Sequence, residues 1–119
     1  MKLEKEIQRE ILDFMNRQHD LFAWRNDSVG IFSEGRFRKK TGFSIKGTSD
    51  ILGIHKPSGK LVAVEVKSEK GKASMEQKAF INKINAMNGL AIVVKSLDEF
   101  REFLEEIRSN YGLGGQYAD

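Results

Sequence analysis

The sequence predicts an α/β domain in which a mixed β-sheet carries helices on both of its faces. An apolar repeat with helical spacing opens the chain at residues 3–18. Two β-branched runs, 49–55 and 60–67, are separated by a turn that contains proline and glycine, and they predict a β-hairpin. A helical segment and the short apolar strand 90–94 follow, so a right-handed βαβ crossover completes a mixed sheet.

The elements before the hairpin are an amphipathic helix, a strand and a loop. Apolar residues recur every three or four positions in the helix: Leu3, Ile7, Ile11, Phe14 and Met15. The aromatic-rich stretch 21–25 predicts a strand. The glycine-containing stretch 26–48 predicts a loop with one irregular hairpin around "GIFSEGRFR".

The elements after the hairpin begin at recognisable caps. Ser74 and Gln77 form a candidate capping box for a helix that runs from Met75 to Met87 and stops at Asn88-Gly89. Ser96 is predicted to cap a last helix over 97–108. We expect one domain over 1–110 and a loose tail over 111–119.

Composition excludes several classes of protein. The chain has 119 residues, 39% of them hydrophobic, and no apolar stretch approaches the ~18–20 residues that a membrane-spanning helix needs. Without cysteine there is no disulfide and no thiolate metal site, which fits a reducing cytoplasm. The two histidines are too few for a histidine-based metal cage.

The positive charge is concentrated in one segment. Twenty lysines and arginines exceed 17 acids, for a net charge of +3, and "RFRKKTGFSIK" at 36–46 has only basic charges. A basic segment beside a nearly neutral body indicates a polyanionic partner such as nucleic acid, although a solvated loop has the same composition.

Charged residues interrupt the hairpin at one end. Because side chains alternate along a strand, Glu65 and Lys67 share one face while the valines of 60–67 share the other. Antiparallel pairing would bring Asp50 opposite the end of that strand, so Asp50 and Glu65 would converge. Two carboxylates suit a hard cation such as Mg²⁺ or Mn²⁺, and a lysine can stabilise a phosphorane-like anion. The alternative is a surface salt bridge.

The motifs "GTSDI" and "AVEVKSEKGKASMEQKAFINKINAMNGLAIVV", in this order, resemble the core of the PD-(D/E)xK nuclease superfamily with its restriction-endonuclease-like fold (αβββαβ). They are most similar to small stand-alone VRR-NUC domains of phages and bacteria, which are similar to Holliday-junction resolvases. Ser49 stands where the family usually has proline. The resemblance implies metal ligation by Asp50, Glu65 and the backbone carbonyl of Val66.

The resemblance also implies that Lys67 is the catalytic lysine and that Gln77 points into the site, where simple helix capping is the alternative role. The first helix would supply one more catalytic acid, in contact with the metal directly or through water. Glu4 is preferred because it shares a helical stripe with Ile7 and Ile11 that must face the sheet. Glu6 is the second choice.

The implied function is Mg²⁺- or Mn²⁺-dependent hydrolysis of branched DNA, such as four-way junctions, by a homodimer acting in the cytoplasm, with a phage origin suggested by family habit. The alternatives are a catalytically silent nucleic-acid-binding module and a nicking or restriction-like nuclease. Trp24 and Phe37 could stack on bases, although a tryptophan beside Leu21 and Phe22 is more often part of a core. The candidate phosphate contacts are Arg25, Arg36, Arg38, Lys39, Lys40, Lys46, Lys70 and Lys72.

Overall fold

The computed structural model describes residues 1–26 and 45–112, together with the backbone of two short strands between them. Its elements follow the predicted order, and the irregular hairpin is present as β2 and β3, which pair antiparallel. They are α1 (Glu4–Arg17), β1 (Leu21–Arg25), β2 (Ile31–Ser33), β3 (Arg36–Arg38), β4 (Ile51–His55), β5 (Leu61–Val66), α2 (Met75–Ala86), β6 (Leu90–Val94) and α3 (Leu97–Tyr111).

A mixed four-stranded sheet in the order β1-β4-β5-β6 forms the centre of the fold. β4 is antiparallel to both of its neighbours, β1 and β5, whereas β5 and β6 are parallel, as a crossover through α2 requires. The α/β fold class is therefore confirmed. No helix among the described residues is long and apolar enough to cross a membrane.

The main core lies on the sheet face covered by α1 and α3. The valines of β5 are fully buried there with apolar side chains from both helices, and the central residues are Ile11, Met15, Val62, Val64, Val66, Phe100 and Leu104. A smaller cluster on the opposite face joins Ala63 and Ala91 to Ile81 of α2. This division confirms the predicted alternation in β5 and leaves Glu65 on the α2 face.

Side-chain amides from two helices bind backbone groups on the outer sides of the two edge strands of the sheet, β1 and β6. Asn16 of α1 accepts a hydrogen bond from the backbone N–H of Ala23 in β1 (2.9 Å) and donates one to its carbonyl (3.0 Å). Asn85 of α2 makes the same two bonds, 2.9 and 3.0 Å long, with Ala91 in β6. Each amide thus takes the place of one residue of a neighbouring strand.

The C-terminal end of α2 agrees with its predicted position, whereas α3 is longer than predicted. α2 stops where predicted, with Asn88 in the left-handed conformation at φ 70°. α3 continues three residues beyond the predicted 97–108 and includes Tyr111, the first residue of the predicted tail. Residues 113–119, the rest of that tail, lie outside the described residues.

A buried ion pair fastens α3 to the turn before β1. The guanidinium of Arg108 donates to both carboxylate oxygens of Asp20, over 2.7 and 2.9 Å. Burial alone would raise the pKa of Asp20, but the hydrogen bond and charge of Arg108 outweigh it and lower that pKa. Burial lowers the pKa of the adjacent His55. This cluster lies at the start of β1 and the end of β4, so it is at the opposite end of the hairpin from Asp50 and Glu65.

Candidate active site

The β4–β5 hairpin places Asp50 and Glu65 across from each other. Ile51 pairs with Val64, so the residue before Ile51 faces the residue after Val64. Oδ2 of Asp50 accepts a hydrogen bond of 2.9 Å from the backbone N–H of Val66. The predicted convergence of the two carboxyl groups is therefore present in the structure.

Glu65 is a carboxyl group in an unusual environment, because it is only 1% exposed in a strand that is otherwise apolar. Burial, followed by the negative charge of Asp50, raises the pKa of Glu65 to about 8, and the nearby Lys67 offsets this only in part. Its Oε1 atom is buried and receives no hydrogen bond from a donor among the described residues. Such an orphaned oxygen is costly unless something else binds it.

The other oxygen of Glu65 receives two contacts from predicted site residues. Nζ of Lys67 lies 3.5 Å from Oε2, and its side chain is 14% exposed. Nε2 of Gln77 donates to the same oxygen over 2.8 Å. Asp50, Glu65, Lys67 and Gln77 therefore form one contiguous group on the α2 face of the sheet.

Gln77 also completes the predicted capping box of α2. Its Oε1 accepts from the backbone N–H of Ser74 over 2.8 Å, and the hydroxyl of Ser74 accepts from the N–H of Gln77 over 3.1 Å. The two alternatives for this residue are thus compatible, since one amide group contacts Glu65 through nitrogen and caps the helix through oxygen.

Gly47 makes the close approach of the preceding loop to α2 possible. Its φ is +79°, and a Cβ at this position would lie 2.3 Å from the backbone of Glu76 in the first helical turn. The loop that leads to Asp50 therefore packs directly on the turn that carries Gln77. The motif "GTSDI" begins at Gly47, but nothing in the sequence predicted that this glycine packs against α2.

Glu4 of the first helix lies against the loop that follows β5. A Cβ placed on Gly71, in the loop after β5, would lie 3.4 Å from Oε2 of Glu4, so that carboxylate lies against the loop. Glu6 is exposed. Within residues 1–26 and 45–112, no three histidine, aspartate or glutamate side chains are close enough together to share an ion. Glu4 as a catalytic acid stays a prediction.

The chemistry of the site fits a divalent cation. Its donors are carboxylate oxygens, and the buried Oε1 of Glu65 has no hydrogen-bond partner among the described residues. Burial, and after it the negative charge of Asp50, raises the pKa of Glu65. Mg²⁺ and Mn²⁺ prefer such oxygen ligands, and Mg²⁺ is commonly held by one or two carboxylates with water completing its shell. Val66 is the last residue of β5, and its carbonyl stays a predicted ligand.

The predicted phosphate contacts divide into described and undescribed residues. Arg25, Lys46, Lys70 and Lys72 are exposed. The N–H of Asn26 donates to the carbonyl of Asp50 over 2.8 Å, which places the end of β1 next to the site. Arg36 and Arg38 belong to β3, but only their backbone is described, and Lys39 and Lys40 lie outside the described residues.

The apolar neighbours of Trp24 in the sequence favour a position in the core, but the structure places it on the surface. It is 39% exposed, and its neighbour Phe22 is 65% exposed. The reason is that α2 packs on β5 and β6 and leaves this face of β1 uncovered among the described residues. The side chain of Phe37 lies outside the described residues.

Comparison with known proteins agrees with this geometry. The sequence model of the VRR-NUC domain matches residues 3–98, which is most of the chain. The chain belongs to the VRR-NUC family. A solved structure described as a VRR_NUC domain protein is similar to it with a TM-score of 0.59 and 16% identity, over 95% of this chain and 96% of the other. No curated protein matches this VRR-NUC sequence.

Proposed function

We propose that this VRR-NUC protein is a divalent-metal-dependent DNA endonuclease of the PD-(D/E)xK type. The observation that carries the proposal is the buried carboxyl of Glu65, which has an unpartnered oxygen beside Asp50 and contacts from Lys67 and Gln77. A salt bridge with a purely structural role would not require a carboxyl group to be buried with one of its oxygens left unpaired.

Asp50, Glu65 and the carbonyl of Val66 would hold Mg²⁺ or Mn²⁺, with Glu4 contributing directly or through water. A bound cation of this kind neutralises phosphodiester charge and lowers the pKa of a coordinated water. Gln77 holds the Glu65 carboxyl in one orientation. Lys67, whose ammonium group lies 3.5 Å from the same carboxyl, would donate to a phosphate oxygen or to the attacking water.

The substrate surface is basic and does not contain a base-reading helix among the described elements. Exposed Arg25 and Lys46 lie on segments adjoining Asp50, and Lys70 and Lys72 follow β5. Such residues contact phosphates and supply affinity without sequence information. We therefore propose selection by DNA structure, with branched DNA and four-way junctions as the preferred substrates.

A domain of this size offers limited area for gripping a duplex, and we propose that it acts as a homodimer with two sites related by a two-fold axis. The candidate dimer elements are the glycine- and aromatic-containing segment 30–45 and the tail with Leu113 and Tyr117. Residues 30–44 and 113–119 lie outside the residues whose side chains the structure describes. Sedimentation of the purified protein at several concentrations would test this assembly, and a monomer at all concentrations would contradict it.

One assay separates the proposed function from its alternatives. Four-way junction, flap, duplex and single-stranded DNA would be incubated with the protein in Mn²⁺, Mg²⁺ or EDTA. We expect metal-dependent cutting that is lost in Asp50→Asn and Lys67→Ala and retained in Lys56→Ala, an exposed lysine at the far end of the hairpin.

Cutting that survives EDTA or both site substitutions would exclude the proposed mechanism. Binding without cutting would identify a catalytically silent module, and preference for unbranched duplex would identify a nicking or restriction-like enzyme. Calorimetry with Mg²⁺ or Mn²⁺ gives a readout independent of activity, because Glu65→Gln should remove the metal binding.

A further inference from the structure

Two exposed aromatic rings form a small platform on β1. The rings of Phe22 and Trp24 lie 5.6 Å apart between centroids and are inclined at 48°. Ile54, which pairs with Phe22 across β1 and β4, extends the apolar surface and is 44% exposed. Large apolar side chains grouped on a surface are uncommon unless they have a binding role.

The platform lies on the same sheet face as the candidate active site. Alternation along β1 and β4 puts Phe22, Trp24, Asp50 and Leu52 on the face of Glu65, since their neighbours Ala23 and Ile51 are in the main core. Trp24 pairs with Leu52, two residues from Asp50. The diagonal geometry of a sheet then puts the backbone of Trp24 about 8 Å from that of Asp50.

We propose that Phe22 and Trp24 stack against an unpaired base of the DNA substrate, one adjacent to the phosphate that is cut. This inference rests on the proposed nuclease function. Among the branched substrates proposed above, it specifies those with unpaired nucleotides at the cleavage point, such as a flap, ahead of a fully paired four-way junction. Bases within a duplex already stack on each other, whereas an unpaired base has a free face for an aromatic ring. Arg25 follows Trp24 directly along the chain and Lys46 precedes the Asp50 segment; both are exposed, so either could contact phosphates of the same DNA strand.

A second copy of the chain fits this surface less well. An aromatic side chain has ~150–250 Å² of surface in all, so the exposed parts of the two rings amount to roughly 200 Å². A stable interface covers about 800 Å² on each partner. The outer side of β1 is also unsuited to strand addition, because the Asn16 amide already occupies the N–H and C=O of Ala23. A base needs neither a large area nor a free strand.

Trp24 is the only tryptophan of the chain, so its fluorescence reports on the platform directly. The protein, kept from cutting by EDTA, would be titrated with a flapped duplex and with the same duplex fully paired. We expect quenching of the wild-type fluorescence by the flapped DNA. Trp24→Ala has no tryptophan, so its affinity would be measured by the fluorescence anisotropy of labelled DNA. We expect a loss of about tenfold for flapped DNA against little loss for paired DNA. Trp24→Phe should restore most of the affinity, and Ile54→Ala, which removes apolar surface but no ring, should lose little.

Three outcomes would overturn the inference. They are unchanged fluorescence at saturating flapped DNA, equal losses for flapped and paired DNA in Trp24→Ala, and a dimer in sedimentation that both Trp24→Ala and Ile54→Ala dissociate. Because binding is measured without cleavage, failure of the nuclease proposal is detected separately by the cutting assay. Circular dichroism of each variant would verify that its fold is retained.

Discussion

Glu65 couples the stability of the metal-free protein to pH. In the unfolded chain its carboxyl group titrates near the ordinary value of 4.5, whereas in the fold its pKa is about 8. Between these values the native state holds a proton that the unfolded state has lost, so the free energy of unfolding falls as pH rises. One pH unit in this window corresponds to about 1.4 kcal/mol.

The expected magnitude follows from that interval. Between about pH 5 and pH 7.5, Glu65 alone should lower the free energy of unfolding by about 3 kcal/mol. Glu65→Gln keeps the shape of the side chain but removes the titration, so the variant should be more stable than wild type at pH 7.5 by an amount of this order. Mg²⁺ or Mn²⁺ should restore stability to wild type and not to the variant.

Urea unfolding in EDTA, measured over this pH range by circular dichroism, provides the test. Glu69→Gln, in the exposed loop just after β5, is the matched control and should keep the wild-type slope. If wild type and Glu65→Gln lose stability equally as pH rises, Glu65 is not held protonated, and the account of its buried environment is refuted.

Substitutions at three further positions test contacts that hold the fold together. Arg108→Met should destabilise the protein by about 3–5 kcal/mol in thermal or urea unfolding, because it leaves Asp20 buried without its partner; a loss under ~1 kcal/mol would contradict this. Ser74→Ala should cost about 1 kcal/mol by removing the cap of α2, and Ser74→Asp should recover most of it. Gly47→Ala should reduce cutting together with stability, since its Cβ would collide with the first turn of α2; wild-type behaviour would show that the loop can move away.

Local rules were sufficient to predict the hairpin that carries the candidate site. Alternation and the position of the turn determine which residues of β4 and β5 face each other, so the amino-acid sequence alone predicts that Asp50 and Glu65 meet. The Ser74–Gln77 spacing likewise predicts a capping box. What these patterns do not contain is the degree of burial of Glu65, which depends on where α2 lies over the sheet.

The features that the sequence patterns did not predict depend on contacts between distant segments. Asp20 and Arg108 are 88 residues apart, and no local pattern links them. Trp24 has the composition of a core residue, but its exposure is decided by which strands α2 covers. The extension of α3 to Tyr111 also depends on a distant segment. The Nζ atom of Lys60 lies 5.1 Å from the centre of the Tyr111 ring and stabilises the end of the helix.

The double role of Gln77 makes the assembly of the site depend on the start of α2. If the first turn of that helix frays, the same motion that breaks the cap at Ser74 withdraws the amide nitrogen from Glu65. The fraction of time for which the carboxyl is correctly oriented is then set by the local opening equilibrium of one helical turn. Amide hydrogen exchange at Gln77 and Lys78 would measure that equilibrium. The fraction of time for which the Glu65 carboxyl is correctly oriented can therefore be followed without any substrate.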